Sequence, residues 1–75
     1  MDIQYEWARV AADLERRITD GEIPPGGRLE NERELGQRYG VSAGTVRRAV
    51  RELRDRGLVV TLPAKGTYVA QAPQA

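Results

Sequence analysis

The stretch Leu35-Gly36-Gln37-Arg38-Tyr39-Gly40-Val41-Ser42-Ala43-Gly44-Thr45-Val46-Arg47-Arg48-Ala49-Val50 leaves a chain few ways to fold. Leu35, Tyr39 and Val41 make an apolar face before and at a break. Val46, Ala49, Val50 and then Leu53 make another after it, at helical spacing. Between the two faces, Gly40 can take the positive φ that closes a helix at no steric cost. Ser42 then offers a side-chain oxygen to the first amides of the next helix. Two short helices joined by a tight turn, each with one apolar face, are the parts of a helix-turn-helix.

The flanking sequence completes a small fold. Trp7, Val10, Ala11, Leu14 and Ile18 form one stripe at helical spacing, so a first helix is expected from about Tyr5 to Asp20. Arg9, Asp13, Arg16, Arg17 and Asp20 are read as lying mostly off that stripe. Gly21 and then Pro24-Pro25-Gly26-Gly27 end the helix. Arg28-Leu29-Glu30 reads as a short extended stretch, and Asn31 with Glu34 as a capping box opening a second helix over 32–39. A third helix is expected over 43–56, stopped by Gly57. Beyond it the period becomes extended. Leu58-Val59-Val60-Thr61-Leu62 and Thr67-Tyr68-Val69 flank the turn Pro63-Ala64-Lys65-Gly66, which gives a hairpin over 58–69. The expected fold is therefore mainly α with a small β-hairpin wing, a three-helix winged helix-turn-helix over 1–70. Residues 71–75 are expected as a frayed tail.

Composition narrows the function. With 75 residues the chain is one domain, and it lacks both Cys and His. That removes the thiol nucleophile, the usual general base and the commonest transition-metal ligand, so no catalytic set, metal site or cofactor site is expected. No apolar run approaches a membrane span and Asp2 spoils a signal-peptide start, which makes the cytoplasm the expected location. The net charge of +1 hides an asymmetry. Residues 1–34 hold five Arg against nine Asp or Glu, a net of −4, whereas residues 35–75 carry a net of +5. An acidic half joined to a basic half suggests one face that meets a polyanion and one that does not.

In a helix-turn-helix the second helix enters the DNA major groove and its N-terminal residues reach base edges. With Val46, Ala49, Val50 and Leu53 turned inward, Ala43, Gly44, Arg47 and Arg51 share an outward face that begins at the helix start. Thr45 and Arg47 are assigned to the groove, where an Arg paired with guanine is worth about 1–3 kcal/mol of discrimination. Arg48 and Arg51 are assigned to phosphate. The competing account pairs Arg48 with Glu52 and Arg51 with Asp55 along the helix, for a few tenths of a kcal/mol each. Ser42 is first a cap, and the amides of Gly44 and Thr45 beside it can meet a phosphate. Arg33, in the first turn of the second helix, is assigned to phosphate, and Lys65-Gly66 at the hairpin tip to an adjacent groove or phosphate.

Several strings carry a further likeness: Ile18-Thr19-Asp20-Gly21-Glu22-Ile23-Pro24-Pro25-Gly26, Glu32-Arg33-Glu34-Leu35, Tyr39-Gly40-Val41-Ser42, Thr45-Val46-Arg47-Arg48-Ala49-Val50, Leu53 with Gly57-Leu58, and Lys65-Gly66-Thr67-Tyr68-Val69. In this order and spacing, residues 5–70 resemble the N-terminal winged-helix domain of the gluconate-repressor-like (GntR) bacterial transcription regulators. The resemblance implies a repressor or activator that binds a palindromic operator as a homodimer. It also implies DNA contacts at Arg33, the start of the third helix, Arg47 and Gly66. Two departures stand out. The family commonly has an Arg just after the Ser or Thr of the turn, where this chain has Ala43 followed by Gly44. An Ala can touch only a thymine methyl, so a different operator is expected. Family members also usually carry a C-terminal domain for effector binding and dimerisation, and no small-molecule effector site is expected here. The chain reads as either a fragment or a complete minimal regulator, with the second preferred.

Two functions are therefore carried forward. The first is a sequence-specific double-stranded-DNA-binding transcription regulator. The second keeps the fold but gives it a protein partner, motivated by Ala43 and the acidic first half.

Overall fold

The computed structural model describes residues 5–71. Residues 72–75 of the expected tail, and Met1 and Asp2, lie outside the described residues. Three helices, α1 (Glu6–Thr19), α2 (Glu32–Tyr39) and α3 (Ala43–Asp55), precede a hairpin of β1 (Val59–Leu62) and β2 (Gly66–Val69). The strands are antiparallel, with Val59 opposite Val69 and Leu62 opposite Gly66. This is the winged helix-turn-helix expected, with helix ends differing by one residue.

The caps explain where the helices begin and end. Asn31 accepts from the Glu34 amide at 2.8 Å while the Glu34 carboxylate accepts from the Asn31 amide at 3.0 Å, the reciprocal pair read from the sequence. Gly40 closes α2 at φ 68° and ψ 37°, a left-handed conformation that a β-carbon would strain. Ser42 then caps α3 by accepting from the Thr45 amide at 3.2 Å.

The core lies where α1, α3 and the hairpin meet. Val10, Leu14, Leu35, Val46, Ala49, Leu53 and Val59 are almost wholly buried, joined by Ile23 and Leu29 from the connection between α1 and α2. Each large apolar side chain so buried contributes about 1.5–3 kcal/mol relative to exposure. Trp7, Ile18, Tyr39, Val41 and Val50 pack against this core but are only partly buried.

Two features depart from the sequence expectation. Arg17, read as mostly off the apolar stripe, is buried. Its guanidinium donates to Glu22 at 2.6 Å and to both carboxylate oxygens of Glu30 at 3.1 and 2.8 Å. An arginine in this position is tolerated because its charge is paired and its donors are used. Arg38 lies 3.6 Å from the same two carboxylates. Beside this cluster, the Tyr39 hydroxyl donates to Asp13 at 2.7 Å, tying α2 to α1. That bond holds the Asp13 carboxyl below its usual range.

The second departure is in the wing, where the connection before α2 pairs with β2 through one isolated bridge. Gly26 donates to the Val69 carbonyl at 2.9 Å, Val69 to Gly27 at 2.8 Å and Leu29 to Thr67 at 2.8 Å, so that Arg28 sits opposite Tyr68. The extended stretch read at Arg28-Leu29-Glu30 thus runs beside the free edge of β2 and joins it through a single β-bridge at Arg28. At the other end of the hairpin, Lys65 donates to the Leu62 carbonyl at 3.0 Å across Pro63 and Ala64. Ala64 takes φ 64° there, the third-position geometry of a type II turn.

Candidate nucleic-acid interface

The first turn of α3 is built from small residues. Ser42, Ala43 and Gly44 are all exposed, and Thr45 is half-buried. The Ser42 hydroxyl also donates to Thr45 Oγ1 at 3.1 Å, which fixes both hydroxyls at the helix start and leaves that of Thr45 free to donate onward. Arg47 and Arg51 follow on the exposed face, as the helical projection required. Arg33 is exposed in the first turn of α2 and lines one hollow with Ala43, Gly36, Gln37 and Val41. Lys65 is exposed in the hairpin turn.

Between α3 and the wing runs a cleft of about 420 Å³. Its walls include Arg47, Arg51 and Arg54 from the helix, Arg28 and Glu30 from the connection, and Thr61, Gly66 and Thr67 from the hairpin. Arg54 donates to Thr61 Oγ1 at 2.9 Å, and the Thr61 and Thr67 hydroxyls are 3.0 Å apart. This hydrogen-bonded relay ties the middle of the hairpin to the last turns of α3.

The pairing of charges sorts the arginines. Arg16, Arg17, Arg38 and Arg56 each lie within 4 Å of at least one carboxylate. Among the described residues, Arg28, Arg33, Arg51 and Lys65 have no carboxylate within that distance and no side-chain hydrogen bond. These unneutralised cations stand at the start of α2, on the exposed face of α3 and on the wing. The pairs Arg48–Glu52 and Arg51–Asp55 do not form. Glu52 faces Arg56 instead, at 3.5 Å. Arg47 has a loose partner that helix spacing did not suggest, Glu32 at 3.6 Å on the neighbouring helix, and its side chain remains 67% exposed. Exposed pairs of this kind are worth about 0–1 kcal/mol, too little to hold Arg47 away from a ligand.

Arg48 stands apart from the other candidates. Its guanidinium lies over the Trp7 ring, 4.2 Å from the centroid, and Tyr5 stacks beside the indole at 6.4 Å. The sequence assigns Arg48 to phosphate, with a pair to Glu52 as the competing account. The structure adds the aromatic platform on which it lies.

The family model for bacterial regulatory proteins of the gntR family matches residues 7–69. The chain belongs to the gntR family of bacterial regulatory proteins. Within that family of transcription regulators it is the DNA-binding winged helix. It is 45% identical over 60 residues to the uncharacterized HTH-type transcriptional regulator YieP of Escherichia coli, covering 80% of this chain and 26% of that protein. The histidine utilization repressor of Pseudomonas putida is 40% identical over 65 residues, covering 87% of this chain and 26% of the repressor. The chain thus spans about a quarter of the length of these gntR relatives. A solved structure of the AraR DNA-binding domain in complex with operator ORR3 superposes with a TM-score of 0.88 at 33% identity, over 92% of this chain and 83% of that one.

Sequence reasoning missed three residues of this gntR winged helix: Arg28 and Arg54, which line the cleft, and Trp7, which carries Arg48. Arg28 could have been suspected from the extended stretch it begins. Its position beside β2 depends on strand pairing that the local sequence does not encode. Trp7 was read only as core, and nothing in the one-dimensional pattern reveals that a neighbouring helix lays a guanidinium on it.

Proposed function

We propose that this chain binds double-stranded DNA sequence-specifically for a transcription regulator, with α3 in the major groove and the wing on the adjacent groove or backbone. Arg47 and Thr45 reach base edges. Ser42, Ala43 and Gly44 bring the helix start against the duplex, and Arg33, Arg48 and Arg51 meet phosphates. Lys65 and Gly66 present the wing. The observation that carries this reading is the set of unpaired cations on α2, α3 and the hairpin, beside a helix start made of small residues.

Further parts of the reading follow from the relatives. Two of the relatives described are named as a repressor and a regulator, and the AraR domain was solved on an operator. A palindromic operator engaged by two copies, at least when on DNA, fits a domain with a single recognition helix, because linked half-site contacts gain effective concentration. Residues 1–70 act as the binding domain and 71–75 as a tail. The chain works in the cytoplasm, without catalysis or cofactor, and these residues hold no small-molecule effector site. No described helix is long and apolar enough to cross a membrane.

The test is binding to selected duplexes as a function of salt. Each phosphate contact contributes about 0.9 to the slope of log K against log salt, and a slope worth several contacts per protomer is expected. Binding that ignores salt between about 50 and 200 mM refutes the mechanism. Absence of binding at low salt together with a co-purifying protein favours the protein-partner reading instead.

A further inference from the structure

Gly66 and Arg28 form one unit. A β-carbon built on Gly66, whose φ is 130°, would stand 2.6 Å from Arg28 Nε, 3.3 Å from Nη2 and 3.4 Å from Cζ. The guanidinium therefore lies against the bare face of the glycine. The backbone beneath it is fixed, because residues on both sides of Arg28 are hydrogen-bonded to β2. The acids nearest in sequence are engaged elsewhere: Glu30 accepts two hydrogen bonds from the buried Arg17, and Glu32 faces Arg47. Arg28 is left exposed and without a carboxylate partner among the described residues, on the wall of the cleft that also carries Arg51 and Arg54.

We propose that Arg28, seated on Gly66, is a DNA-phosphate contact of the wing, and that Gly66 serves binding by leaving room for that guanidinium. The inference rests on the DNA-binding reading above. It adds a cation from the connection before α2 to a wing whose own hairpin turn supplies only Lys65. The seat matters because a side chain on a fixed backbone that lies against the glycine has less freedom to lose on meeting a phosphate than a surface arginine with neither constraint. The recognition is of backbone charge and carries no base preference.

The experiment uses a duplex selected from a random pool by the wild-type protein, with affinity measured per protomer across a salt series. Arg28→Gln is expected to lower the salt slope by about one. Between about 50 and 200 mM salt it then loses about 3.5-fold less affinity than wild type, as expected for one missing phosphate contact. Arg28→Lys keeps the slope, and Arg28→Gln weakens unselected duplexes by the same factor as the selected one. Gly66→Ala lowers the slope similarly, and combining it with Arg28→Gln brings no further drop. Thermal unfolding of each variant separates a folding defect from a binding one, and the exposed Arg28 variants carry the test if Gly66→Ala unfolds. An unchanged slope in Arg28→Gln overturns the contact, and additive losses in the double variant overturn the seat. A wild-type protein that selects no duplex overturns the DNA-binding reading and this contact with it.

Discussion

Replacing Arg17 by Met removes the charge that two carboxylates share while keeping most of the apolar stem. The Arg17 side chain is 6% exposed, against 28% for Glu30 and 44% for Glu22. Removing one partner of a fully buried pair costs about 3–5 kcal/mol, because the other charge is stranded. Here the cost is reduced, since Glu22 is nearly half in water and Arg38 remains 3.6 Å from both acids. A loss of about 2–3 kcal/mol at pH 7 is expected. That is a large share of the roughly 4–11 kcal/mol available to a domain of this length, and it lowers Tm by about 10–20 °C.

The loss should also depend on pH. The Arg17 guanidinium holds the Glu30 carboxyl below its usual range, with burial opposing. A carboxylate lowered in the folded state stabilises above its unfolded pKa, and that contribution disappears as pH falls through the folded value. The gap between wild type and Arg17→Met should therefore narrow as pH drops from 7 to about 3. Urea and thermal unfolding followed by circular dichroism measure both effects. A loss under about 0.5 kcal/mol at pH 7, the range of a neutral surface substitution, refutes the reasoning, and so does a gap that stays constant with pH.

Two further outcomes are expected. Arg47→Ala should relax base preference at one position per half-site, by about 1–3 kcal/mol, while Arg33→Ala weakens all sequences alike and lowers the salt slope by about one. Affinity selection on randomised duplexes distinguishes the two, and equal losses on every sequence for both variants refute the division of roles. Ser42→Ala removes the cap of α3 and should cost about 1 kcal/mol in urea unfolding, with a greater loss of DNA affinity than of stability if the helix start meets phosphate.

Much of this molecule was legible in one dimension because its signals are local. Gly40, Ser42, Asn31 and Glu34 act on backbone groups within a few residues, so their caps could be placed before any packing was known. The apolar faces of α1 and α3 follow from helical spacing alone. Arg17 was misjudged by residue type, since it lies seven positions after Val10, only about 20° around the helix from it, at the margin of the buried stripe. Its burial depends on Glu30, a partner thirteen residues away. The pairing of Arg28 with Tyr68 was hidden for the same reason: the extended stretch at 28–30 could be read locally, but its partner is β2, some forty residues away. In the candidate site, the outward set Ala43, Gly44, Arg47 and Arg51 came from geometry, whereas the Trp7–Arg48 stack and the Arg28–Gly66 seat each require two elements distant in sequence.

The threonine hydroxyls between α3 and the hairpin have a mechanical consequence. With Arg54 bonded to Thr61 and Thr61 to Thr67, helix and ribbon become the jaws of a caliper whose gap is set before any ligand arrives. A duplex gripped by both must present its two points of contact at that separation. Local twist and groove width then enter recognition as elastic work, charged to base pairs that no side chain touches.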